Sequence, residues 1–74
     1  MSTIIELRRA RPELSTVVSR LVSLQQARPL YGDVVIAFAG ERAVAAMSLA
    51  DRRVVADPLA ASDEAVDLLR AHAA

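Results

Sequence analysis

Two apolar runs of strand length, Val34–Ala39 (VVIAFA) and Ala43–Leu49 (AVAAMSL), flank Gly40-Glu41-Arg42 and constrain this chain more than any other feature. Successive strand side chains face opposite ways, so Val34, Ile36 and Phe38 share one face and Val35, Ala37 and Ala39 the other. Both faces are apolar, and the second carries the smaller side chains. A strand of this kind must be covered on both sides. Gly40 stands first in a two-residue connection, where a type II′ hairpin turn requires it. Asp51-Arg52 marks a second reversal, without a glycine to supply positive φ. Arg53–Asp57 reads as the third strand, stopped by Pro58. These three strands form an antiparallel meander.

The flanking segments read differently. Thr3–Arg8 (TIIELR) mixes β-branched and charged residues and is read as an N-terminal edge strand. Pro12 suits the first turn of a helix. From there to about Ala27, Leu14, Val17, Val18, Leu21 and Leu24 recur at three- and four-residue spacing, the period of an amphipathic helix. Arg28-Pro29 ends it, because a residue before proline avoids the α region. Near the other end, Ser62 is a good N-cap, with Asp63 and Glu64 in the first turn. Val66, Leu69 and Ala73, widened by Ala65 and Leu68, make the apolar stripe of a second helix over about Asp63–His72. The expected fold is α+β, in the order β-α-β-β-β-α, as a single domain over residues 1–74.

A chain of 74 residues buries only about 60% of its unfolded surface, and chains this small usually rely on disulfides, a metal or self-association. With no cysteine and one histidine, disulfides and a structural zinc site of the N/S type are excluded. Self-association is the means left. Nine arginines balance nine acidic residues, so the basic footprint of a nucleic-acid binder is missing. The absence of lysine fits the codon usage of a high-GC genome. No apolar run approaches the ~20 residues of a membrane-spanning helix, and the N-terminus lacks a signal pattern. A cytoplasmic protein with no membrane contact is expected.

The candidate chemistry is thin. His72 sits at a helix end, where it serves the dipole and solvent. Ser15, Ser19 and Ser23 lie four apart with no base beside them in sequence, as a solvated stripe would. Asp57, Asp63 and Glu64 resemble paired carboxylates only in proximity, since two are first-turn helix acids and the third precedes proline. Arg52-Arg53 is the only basic pair in the meander, and charge there commonly protects a sheet edge. Gly32 and Gly40 form no phosphate loop. No catalytic residue, metal ligand or cofactor is expected.

The string Arg9-Ala10-Arg11-Pro12-Glu13 after the opening strand, and the segment PLYGDVVIAFAGERAVAAMSLADRRVVADP, resemble the N-terminal half of the GNAT-type acetyltransferase superfamily. The resemblance implies that a turn rich in glycine, with an arginine, should follow the meander and hold the pyrophosphate of acetyl-CoA at a helix N-terminus. This chain has Pro58-Leu59-Ala60-Ala61-Ser62-Asp63-Glu64 there, without glycine or arginine and with two acids. No functional residue of that superfamily carries over. In the complete fold a further strand pairs with the edge formed here by Arg53–Asp57. Arg53, Val54, Val55 and Asp57 are therefore the expected interface to a second copy or another protein, and Val55→Arg is expected to weaken association while leaving the fold intact. The expected function is a non-catalytic interaction domain, a homodimer or a small subunit of an assembly. The alternatives are an acyl-CoA-binding remnant completed by a partner chain, and a regulatory antitoxin-like protein.

Overall fold

The computed structural model describes residues 4–60 and 63–73. Its elements are β1 (Ile5–Arg9), a single 3-10 turn (Pro12–Leu14), α1 (Ser15–Leu24), β2 (Val34–Ala39), β3 (Arg42–Ser48), β4 (Val54–Ala56) and α2 (Asp63–Ala73). The four strands form one antiparallel sheet in the order β1-β2-β3-β4. The expected α+β class and β-α-β-β-β-α order are what the chain adopts. Thr3, expected in the first strand, and Ser62, expected as an N-cap, lie outside the described residues.

The doubly apolar strands explain the layering. On one face Val34, Ile36 and Phe38 of β2, Ala43 and Ala46 of β3 and Val55 of β4 pack with Leu21 and Val22 of α1. On the other, Val35, Ala37, Val44, Ala45 and Met47 pack with Ala65 and Leu69 of α2. Each helix thus covers one face. The larger side chains of β2 meet α1, and the smaller ones let α2 lie close.

Val44 and Ala45 are consecutive yet share the α2 face. The register steps from Ala37↔Ala45 to Phe38↔Ala43, which leaves Val44 as the extra residue of a β-bulge. Gly40 closes the β2–β3 hairpin with φ of 65°, as the turn requires. In the five-residue β3–β4 loop the positive φ falls on Arg52, at 60°.

Helix α1 is shorter than the spacing predicts. Its C-terminus closes at Gln25–Ala27 in a Schellman arrangement: the Ala27 amide donates to the Val22 carbonyl (3.0 Å) and the Gln26 amide to the Ser23 carbonyl (3.1 Å). Gln26 takes the left-handed conformation, φ 51°, where glycine is usual. Leu24, placed by spacing on the apolar stripe, is 38% exposed, as is Leu68 of α2.

Candidate functional site

With both faces covered, the sheet keeps two edges. At the β4 edge, the Asp57 amide donates to the Val44 carbonyl and the Ser48 amide to the Arg53 carbonyl. Antiparallel bonding alternates, so Arg53, Val55 and Asp57 direct their backbone groups at β3, and Val54 and Ala56 direct theirs outward. One outward donor is already taken: the Ala56 amide donates to Gln25 Oε1 at 2.7 Å. The Arg53 guanidinium folds over the same edge and donates to the Pro29 carbonyl.

The sequence-expected interface residues therefore separate. Arg53 and Val54 are half-buried along the rim. Val55 is 1% exposed and faces Leu21 and Ile36 in the α1 core. An arginine there would be buried without a partner, so Val55→Arg is corrected from an interface probe to a substitution that unfolds the domain.

Asp57 is also inside, with its side chain fully covered. Its Oδ1 accepts the Leu59 amide at 2.9 Å, an Asx turn across Pro58, and its Oδ2 accepts Arg42 Nη2 at 3.0 Å. The Leu59 amide, followed by the Arg42 guanidinium, holds the carboxyl below the usual aspartate range against the desolvation that burial imposes. Arg20 of α1 adds a second positive charge nearby while donating to the Ala43 carbonyl at 3.0 Å. Asp57 thus locks the β4–α2 connection to the start of β3. Sequence reasoning saw only an acid before proline. The signal available was the Asp-Pro-x string itself, a common Asx-turn sequence.

Ser15, Ser19 and Ser23 do share one surface. They line an open groove of about 470 Å³ between α1 and the 29–34 connection, floored by Val18, Val22 and Val34. Neither Asp57 nor His72 lines it; the carboxylate that does, Asp33, is held in an ion pair with Arg9 at 2.6 Å. His72 is exposed on the last turn of α2. Among the described residues no three of His, Cys, Asp and Glu gather as a metal site, and no helix is long and apolar enough to cross a membrane.

The opposite edge is β1. Its register pairs Leu7 with Ala37 and Arg8 with Ile36, and the Ala10 amide donates to the Val34 carbonyl at 2.7 Å. By the same alternation Glu6, Arg8 and Ala10 bond β2, and Ile5, Leu7 and Arg9 turn their backbone groups outward. Glu6 and Arg8 form a two-pronged ion pair on one face, at 2.8 and 3.1 Å. The Arg8 guanidinium stands 5.1 Å from the centre of the Phe38 ring, which places the pair on the α1 side.

No family model, curated protein or solved structure matches this chain.

Proposed function

We propose that the chain is a non-catalytic protein-interaction domain, one that associates with itself or joins a larger assembly by adding a strand to an uncovered sheet edge. The observation that carries this reading is the placement of both helices on the faces of the sheet, which leaves an edge strand with outward backbone donors and acceptors. Such a row is a template for another strand. The small core favours the same reading, because association supplies buried surface that a chain of this length lacks.

The resemblance to the acetyltransferase superfamily supports a shared ancestry in this proposal and no acetyl-CoA site. The order of elements agrees with it. Asp63 and Glu64 in the first turn of α2 put negative charge where a pyrophosphate would sit. Light scattering on the purified chain tests the proposed role. A mass above that of the monomer, rising with concentration, is expected. A monomer up to high micromolar concentration would contradict self-association.

A further inference from the structure

We infer that the associating edge is β1, and that its partner is the β1 of a second copy, paired antiparallel in a register centred on Leu7. This deepens the association reading above and rests on it. Three features of the edge lead there.

The first is the backbone. β1 turns three residues outward, Ile5, Leu7 and Arg9, and among the described residues nothing bonds their outward groups. The β4 edge turns out only two, one of which Gln25 occupies. An incoming strand therefore finds the longer and freer template at β1.

The second is register. With Leu7 opposite Leu7 of the second copy, Ile5 lies opposite Arg9 and all outward groups pair. Glu6 then lies opposite Arg8 of the second copy, and Arg8 opposite its Glu6. These are positions without backbone bonds between them, where cross-strand side chains come closest. Sliding one strand by two residues in either direction sets Glu6 against Glu6, or Arg8 against Arg8. Like charges directly opposite are unfavourable, so charge selects the single two-fold register. Charges on an edge normally repel strangers; the Glu-x-Arg spacing here matches a copy of itself.

The third is exposed apolar surface. Ile4 is 84% exposed. Continuing the alternation, it falls opposite Ala10 of the second copy. The two sheets become one of eight strands about a two-fold axis, the commonest symmetry of soluble dimers.

Sedimentation equilibrium on the full chain tests the inference with two charge reversals, Glu6→Arg and Arg8→Glu. Both side chains are exposed, and thermal melts report whether each variant still folds. Each reversal alone sets like charges across both pairs, so the dissociation constant should rise roughly tenfold to a hundredfold. Mixing the two variants restores opposite charges across both pairs, and a heterodimer close to wild-type affinity should form. A variant that merely misfolded would not be rescued by the other. A wild-type dimer whose affinity neither reversal changes, or a mixture with no rescue, would overturn the β1 register and leave association standing. A wild-type chain that stays monomeric would overturn self-association itself.

Discussion

The carboxamide of Gln25, at the C-terminus of α1, accepts the outward amide of Ala56 on β4 at 2.7 Å. A side chain thereby takes the place a neighbouring strand would hold and makes the two sheet edges unequal. Gln25→Ala should accelerate hydrogen exchange at Ala56 and cost no more than about 1 kcal/mol. The dimer dissociation constant should not change. Tighter dimerisation of this variant would move the contact from β1 to β4.

Asp57 gives stability a pH dependence of known sign. Its folded-state pKa is lowered, by the Leu59 amide first and then by Arg42. Its contribution is therefore present at neutral pH and is lost as pH falls below about 4, through the depressed value. Arg42→Ala should lower Tm at pH 7 and make less difference at the acid end of the range over which the domain stays folded, because protonation of Asp57 removes the pair. Thermal melts at the two pH values check this; an equal loss at both would remove the ion pair from the explanation.

Gln26 holds a left-handed conformation that glycine adopts without a Cβ penalty. Gln26→Gly should stabilise the domain by about 1 kcal/mol, read from urea unfolding. Arg52→Gly, at φ 60°, should act in the same direction.

Leu69 is fully buried between α2 and the sheet. Leu69→Ala should cost about 2–5 kcal/mol, a large share of what a small domain possesses. Val55→Arg should leave no cooperative thermal transition. A folded Val55→Arg variant would show that Val55 is less enclosed than its contacts with the α1 core indicate.

Much of this architecture is legible in the sequence because hydrophobic pattern and punctuation agree. The six residues of β2, the Gly40 hairpin and the two amphipathic helices follow from alternation, a glycine at the turn and three- to four-residue spacing. What escapes has no local marker. The Val44 bulge lies in a run of Ala and Val that reads equally well without it. The early end of α1 is set by Gln26 adopting a glycine-like conformation, and Leu24 keeps the helical spacing while remaining partly exposed at the helix end. Burial of Asp57 depends on Arg42, 15 residues away. The unequal edges depend on Gln25 reaching Ala56 across 31 residues. Sequence pattern located an edge at 53–57, but which edge is stoppered is a property of the packed structure alone.

Amide hydrogen exchange, followed residue by residue as the concentration of the wild-type chain is raised, tests the use of the β1 edge most directly. Ile5, Leu7 and Arg9 point their amides away from the sheet and should exchange quickly in dilute solution. Pairing of two β1 strands predicts that these three become protected together as the dimer forms, with Val54 unchanged. Protection that appears at Val54, or at none of these amides while the mass doubles, would contradict it.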